Sequence, residues 1–237
     1  MRASRPGTKI QVIGGHQCIY IPDLVGYCDH LEETVFPEQT LSANYIVTAP
    51  LIPTGGAVPK VEMVRIIATA DNTTLSYDPP QPGAPTTIAT AGGWVEIADT
   101  AADFRITANS PVLVAQYMEG QAAGGNSGDP AMTLAVGTEQ YRKSYLFHAP
   151  TNYEYSYVNI VAPTGTTVLL DGNLVAMASF TPIGATGYSV SRATLSNAGT
   201  GNHVISGTAE LGISVYGYGQ YTSYWYPGGS NLTLLHD

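Results

Sequence analysis

Charged residues are scarce in this 237-residue chain, and basic residues are the scarcest. Lys, Arg, Asp and Glu together make up 11% of the sequence, against about 25% in an ordinary soluble domain. Nine basic residues face 18 acidic ones, so the formal net charge is −9. This balance argues against nucleic-acid binding, because the sequence has no basic patch to neutralise phosphates.

Long apolar runs are also missing. No stretch approaches the roughly eighteen apolar residues of a membrane-spanning helix, and the N-terminus has no apolar signal-peptide core. We therefore expect no membrane span. Helical periodicity is almost absent too. Only the acidic residues 29–39 fit a single helical turn, and a solvated connector ending at Pro37 is the simpler interpretation.

Cysteine is limited to two residues, Cys18 and Cys28. There is no CxxC motif and no second pair that would favour a metal or redox site, so zinc is not expected. Pairing the two cysteines closes a short loop and stabilises the fold by about 2–3 kcal/mol. We therefore predict a Cys18–Cys28 disulfide, which implies an oxidising, extracellular or cell-surface location.

Glycine, proline and tyrosine are abundant, with 26, 16 and 16 residues. Short apolar runs alternate with Gly- and Pro-rich turns, which is the pattern of an all-β protein. The predicted strands fall into two groups of six: 44–49, 61–70, 73–77, 93–98, 103–108 and 112–117, then 144–148, 155–162, 166–170, 188–195, 203–207 and 212–218.

The second group of strands repeats the first. Tyr45 corresponds to Tyr145, 100 residues on, Val64 to Val158, 94 on, and Val112 to Ile213, 101 on. Trp94 likewise corresponds to Tyr188, and we expect Trp94 to lie in a core. A period near a hundred residues is too long for a solenoid repeat and has the size of a β-sandwich.

The repeat predicts two tandem β-sandwich units of jelly-roll type. We place an N-terminal strand and disulfide loop at 1–40, the first unit at 41–120, a Gly-rich connector at 121–135 and the second unit at 136–237. Residues 10–15 resemble the closing strand of each unit, and we interpret them as a third copy of that strand. The chain then reads as a piece of a longer array.

Several motifs are recognisable together: Cys18 with 27–31, then 71–74, 111–117, 128–132, 139–141, 157–163, 182–184, 187–190 and 215–219. With these motifs the chain resembles the N-terminal domain of the IgGFc-binding protein family, in its bacterial form. The likeness runs from about Ile10 to Gly229. It implies a module of mucus-associated or bacterial surface proteins, named for binding the Fc part of immunoglobulin, with no catalytic residues to carry over.

No catalytic motif is evident. The five histidines are scattered, and none lies in an HExxH or GxSxG context. A hydrolase would need two carboxylates or a Ser/His pair that converge in a cleft. We therefore predict that the protein is not an enzyme.

The Gly-rich loop 119–129 is a candidate calcium site. Calcium prefers several oxygen ligands from a flexible loop, and this loop offers Glu119, Asn126, Ser127 and Asp129. It does not match an EF-hand. The alternative is that its Asp and Asn residues are turn formers with backbone roles.

Aromatic residues form a candidate binding surface. Exposed Tyr and Trp supply contact area with a polar end, and their rings also stack on sugars. The alternative is that they pack between the two sandwiches, since three of them alternate on one face of a strand. The candidate residues are Tyr153, Tyr155, Tyr157, Tyr221, Tyr224, Trp225 and Tyr226.

These features predict a non-catalytic extracellular module for binding or adhesion, with a protein, a glycoprotein, a glycan or another copy of itself as partner. The alternative is a self-assembling structural subunit of a fibre, coat or surface layer. An exposed aromatic groove would favour the binding module. Paired sheet edges between molecules would favour the structural subunit and a homo-oligomer.

Overall fold

A computed structural model describes residues 10–52, 59–123 and 126–236. The fold is all-β, as predicted, with short 3-10 turns at Glu38–Thr40, Gln121–Ala123, Thr138–Gln140 and Met177–Ser179. The strands are β1 Ile13–Ile19, β2 Asp29–Thr34, β3 Ser42–Val47, β4 Glu62–Ala68, β5 Thr73–Asp78, β6 Thr87–Ile88, β7 Trp94–Thr100, β8 Phe104–Met118, β9 Ala131–Leu134, β10 Arg142–His148, β11 Tyr155–Pro163, β12 Val168–Leu170, β13 Asn173–Leu174, β14 Thr181–Pro182, β15 Tyr188–Thr194, β16 Asn202–Gly219 and β17 Thr222–Pro227.

Two curled antiparallel sheets repeat one topology, which confirms two tandem β-rich units. The first sheet has the strand order β6-β5-β8-β4-β7, and β3 and β9 also pair with β8. The second has the order β13-β12-β16-β11-β15-β14, and β10 and β17 also pair with β16. Strand β9 lies in the range 121–135, which the sequence assigns to the connector, and it joins the first sheet through β8.

Strands β8 and β16 are longer than the sequence predicts. Each was expected as two separate strands, 103–108 with 112–117 and 203–207 with 212–218, and that expectation is wrong. A bulge lets each strand bend and continue. Along β8, Ser42 pairs with Val112 but Asn44 pairs with Thr107, and β16 shows the same shift. The bend gives the two halves of each long strand different neighbours, so each sheet curls around its own core.

Two equivalent tyrosines close the cores at these bulges. The Tyr45 hydroxyl donates a hydrogen bond to the Val112 carbonyl at 2.6 Å and accepts one from the Ser42 amide. The Tyr145 hydroxyl donates to the Leu211 carbonyl at 2.5 Å in the same manner. Val112 therefore corresponds to Leu211, 99 residues on. The sequence-based match to Ile213 is wrong by two residues.

The N-terminal segment forms a separate two-stranded sheet of β1 and β2. The predicted disulfide is present, with Cys18 and Cys28 Cα atoms 5.2 Å apart. Within the described ranges β1 pairs with β2 and with no strand of a sandwich, so residues 10–15 are not a closing strand. The hairpin packs beside β9, and the Gly120 amide donates to the Ile21 carbonyl at 2.7 Å.

Candidate binding site

The two sheets differ in how their outer faces are filled. Strand β11 is buried on both faces, because the side chains that point away from its own core pack against the first unit. Strand β4 occupies the equivalent place in the first sheet. It is buried only on its core face, and Met63, Arg65 and Ile67 on its outer face are half-buried. The outer face of the first sheet therefore has room for another group.

The filled interface shows what this kind of face holds. Buried Asn159 donates hydrogen bonds to the Thr48 hydroxyl and the Ala49 carbonyl, both at 3.1 Å. Its side-chain carbonyl accepts one from Tyr216 at 2.8 Å. Arg192 binds the same Ala49 carbonyl and forms an ion pair with Asp103. The outer face of the second sheet thus donates hydrogen bonds to main-chain carbonyls of the first unit.

A cavity of about 610 Å³ lies on the outer face of the first sheet, under the N-terminal hairpin. Its volume is in the range of ligand-binding clefts. We call it the hairpin groove. On the sheet side its lining includes Met63, Arg65, Ile67, Leu113, Tyr117 and Met132, and on the hairpin side Ile19, Tyr20, Ile21, Leu31, Asp23 and Glu33.

A charged and aromatic group marks one wall of the hairpin groove. The Arg65 guanidinium lies 4.7 Å from the centre of the Trp94 ring and 5.4 Å from that of Tyr117. It also donates to Glu96 Oε1 from Nε at 2.8 Å and from Nη2 at 2.5 Å. Trp94 remains 55% exposed. The wall thus combines an aromatic surface with an ion pair, as protein-binding surfaces often do.

The prediction that Trp94 lies in the core is wrong. Trp94 pairs with Ile67 and Glu96 pairs with Arg65, so all four side chains share the outer face. In the second sheet, Val161 pairs with Val190. Trp94 therefore corresponds to Val190, and not to Tyr188.

Sequence reasoning missed the groove, although one signal was present. Arg65 interrupts the apolar residues 63–68 of β4 and so marks an outer face that is not filled by core side chains. Glu96 directly opposite it was a cross-strand partner that could have been sought. The hairpin wall had no such signal, because its position depends on tertiary packing.

A buried lysine from outside the predicted calcium loop contacts that loop. Glu119 and Asp129 are buried, and Asn126 is exposed. The ammonium of fully buried Lys60 donates to the Ser127 carbonyl at 3.2 Å. Over the described ranges, no group of three or more His, Cys, Asp or Glu side chains is placed to hold a metal. Calcium binding in this loop stays a prediction.

Burial shifts the pKa of three groups around this loop. It raises the pKa of Glu119 to about 7, with the negative charge of Asp99 adding to the effect. It raises the pKa of Glu62 well above the usual value of 4.5. It lowers the pKa of Lys60 to about 8, against the attraction of Asp129 and Glu119. The first unit therefore contains a buried polar cluster whose charge state depends on pH.

We expect the free energy of unfolding to fall as pH rises from about 4.5 to 7. The raised pKa values of Glu62 and Glu119 mean that the folded chain holds more protons than the unfolded chain in this window, so a rise in pH favours the unfolded chain. Glu62→Gln should flatten this slope and stabilise the chain at pH 7. The side-chain carbonyl at position 62 can still accept the hydrogen bond that the Gln116 amide donates. Urea unfolding across pH measures it.

Glu154→Gln, at an exposed site, is the matched control and should leave the slope unchanged. A wild-type stability that rises between pH 4.5 and 7 would contradict the assignment of Glu62 and Glu119 as the groups that set it.

The predicted aromatic surface is divided between two environments. Tyr157 and Trp225 are buried between the units with Tyr216 and Tyr218, so these two candidates do not lie on the surface. Half-buried Tyr153, Tyr224 and Tyr226 form a separate stack, and Tyr155 and Tyr221 are exposed. A binding role for these five stays a prediction.

The fold defines a class of protein: a disulfide-stapled, tandem β-sandwich protein with a groove on the outer face of its first sheet. The sequence model of the family described as IgGFc binding protein matches residues 4–217. The chain therefore belongs to this family, as its motifs indicate. No curated protein and no solved structure matches the chain.

The family is of a binding type and is not known as enzymatic. Its members are typically extracellular, and the Cys18–Cys28 disulfide is consistent with that location. Across the ranges that the structure describes, no helix has the length and apolar character needed to cross a membrane.

Proposed function

We propose that the chain is an extracellular binding module that holds a segment of a partner protein or glycoprotein in the hairpin groove. One observation carries this proposal. The outer face of the first sheet is open, while its counterpart on the second sheet binds main-chain carbonyls of the first unit through Asn159 and Arg192. Arg65 and Glu96 occupy the equivalent positions, because each pair is directly opposite across its strands.

The chemistry of the groove supports a protein ligand. Its lining is mostly apolar, and its polar groups are few and placed at the wall and on the hairpin. Arg65 offers donors for carbonyl groups, and Glu96 accepts from amides. The exposed Trp94 ring gives a glycan on the partner a surface for stacking. The name of the family, IgGFc binding protein, makes the Fc fragment of IgG the first natural probe.

A peptide-display selection against the immobilised chain tests the groove and does not require the natural ligand to be identified. We expect the selected peptides to compete with one another and to bind Arg65→Ala and Tyr117→Ala about 10-fold more weakly or worse, as for central interface residues. Met177→Ala, at an exposed site outside the groove and outside the predicted aromatic surface, is the matched control.

Peptides that bind wild type and both groove variants equally would contradict the proposal. Binding of the Fc fragment and of free glycans to the same variants separates the ligand classes. Loss of glycan binding in Trp94→Ala, with peptide binding intact, would move the proposal from a protein to a carbohydrate ligand.

A further inference from the structure

One residue of the intact interface has an equivalent with no partner. Ile46 on the outer face of β3 is 5% exposed, because it packs on Val161, Ile183 and Val190 of the second unit. Because Tyr45 and Tyr145 are equivalent, the residues that follow them, Ile46 on β3 and Leu146 on β10, are equivalent too. Leu146 is 76% exposed. The same strand position is therefore buried between the units as Ile46 in the first unit and exposed to solvent as Leu146 in the second.

Leu146 belongs to a stripe of exposed apolar side chains that we call the tail face. Leu146 pairs with Val204, Leu169 pairs with Ser206, and Leu169 also pairs with Leu174. Directly paired residues share a face, as do Val204 and Ser206 two positions apart. Exposed apolar side chains that cluster in this way mark interaction surfaces. The tail face comprises Leu146, Val204, Leu169 and Leu174, all exposed.

The residues that would receive the tail face are also present and open. Val161 and Val190, which contact Ile46, correspond to Ile67 and Trp94 of the first unit. We call Ile67, Trp94 and the adjacent Glu96 the head face. The hairpin packs beside β9, and Trp94 on β7 remains 55% exposed. One molecule therefore carries both halves of its internal interface, each without its partner half.

We propose that the chain binds a second copy of itself head to tail, with the tail face of one molecule on the head face of the next. The partner segment is β10, placed against β4 and β7 as β3 is placed against β11 and β15. This proposal rests on the groove face being a binding surface, and it names the partner. Such a contact is heterologous, so it leaves a free head and a free tail and extends into chains.

The polar groups at the edge of the two faces also match. In the internal interface, Arg192 pairs with Asp103. Arg192 corresponds to Glu96 on the head face. Asp103 corresponds to Asn202, the first residue of β16, because each directly precedes a position that is equivalent in the two long strands. In the internal interface the second sheet supplies the donor, Arg192. In the proposed contact the equivalent residue of the first sheet, Glu96, is the acceptor, and the side-chain amide of Asn202 can donate to it.

Sedimentation velocity of the purified chain over a concentration series tests this proposal. We expect the weight-average mass of wild type to rise with concentration beyond a dimer. Leu146→Asp blocks the tail and Trp94→Asp blocks the head, and both residues are exposed, so both variants should fold and stay monomeric. An equimolar mixture of the two variants should give dimers and nothing larger, because it contains one intact head and one intact tail. Leu234→Asp, at a comparably exposed site, should behave as wild type.

A wild-type chain that stays monomeric at its highest soluble concentration overturns head-to-tail binding. Variants that associate as wild type does, or a mixture that stays monomeric while wild type associates, overturn it as well. If peptides selected on the groove still lose binding in Arg65→Ala under those conditions, the proposed function stands and only its assignment to a second copy fails.

Discussion

Replacement of Asn159 by leucine is expected to lower the free energy of unfolding by about 2–4 kcal/mol. The reason is the number of buried groups that this amide satisfies. It donates to Thr48 and Ala49 and accepts from Tyr216, and a leucine side chain can do neither. Urea unfolding followed by tryptophan fluorescence measures the loss, since Trp225 lies in the same interface.

The chain offers a matched control at the equivalent position of the first sheet. Arg65→Leu removes a half-exposed ion pair with Glu96, which is worth roughly 0.2–1 kcal/mol. If Asn159→Leu costs no more than Arg65→Leu, then the hydrogen bonds to the first unit do not stabilise the pair of units, and the comparison between the two outer faces loses its basis.

Removal of the disulfide is expected to open the hairpin while both sheets stay folded. A two-stranded hairpin is marginal on its own, and the Cys18–Cys28 bond contributes about 2–3 kcal/mol to its local stability. In Cys18→Ser/Cys28→Ser, amides of β1 and β2 should exchange their hydrogens far faster than those of β4 and β8. Hydrogen exchange read out by mass spectrometry resolves these segments.

The same double variant connects the hairpin with the binding site. Peptides selected on wild type should lose affinity for it, because the hairpin supplies one wall of the groove. Equal exchange in β1 of the variant and the wild type would show that packing beside β9, and not the disulfide, holds the hairpin in place.

Local patterns in the sequence predicted the all-β fold, the tandem repeat and the disulfide. Each depends on residues close in sequence or on the comparison of two similar segments, such as those around Tyr45 and Tyr145. The family assignment from combined motifs was also correct.

The register of the repeat could not be read in the same way. Val112 begins a continuous apolar run, whereas Leu211 is followed by Gly212 and the apolar run resumes at Ile213. Matching apolar runs therefore placed the equivalent of Val112 at Ile213 rather than Leu211. The same kind of slip paired Trp94 with Tyr188 instead of Val190. A two-residue slip keeps the inward and outward alternation, and only the cross-strand pairing reveals it.

The candidate site lay beyond sequence reasoning for a different reason. Tyr157 and Trp225 looked like a binding surface, but the first unit covers them. On the equivalent face of the first sheet, the hairpin is the segment of the described residues that forms the other wall of the groove. Which of two similar faces is covered depends on how the units dock, and no local pattern encodes that arrangement.

One measurement tests most directly whether the outer face of the first sheet is the binding face. The chain has two tryptophans, exposed Trp94 on that face and buried Trp225. In Trp225→Phe, the fluorescence comes from Trp94 alone, and its quenching by acrylamide reports how accessible this ring is. We predict that quenching falls when a groove-selected peptide is added and when the chain is concentrated, and that Leu146→Asp abolishes only the effect of concentration. Quenching of Trp94 that stays constant while peptide binds would contradict the account.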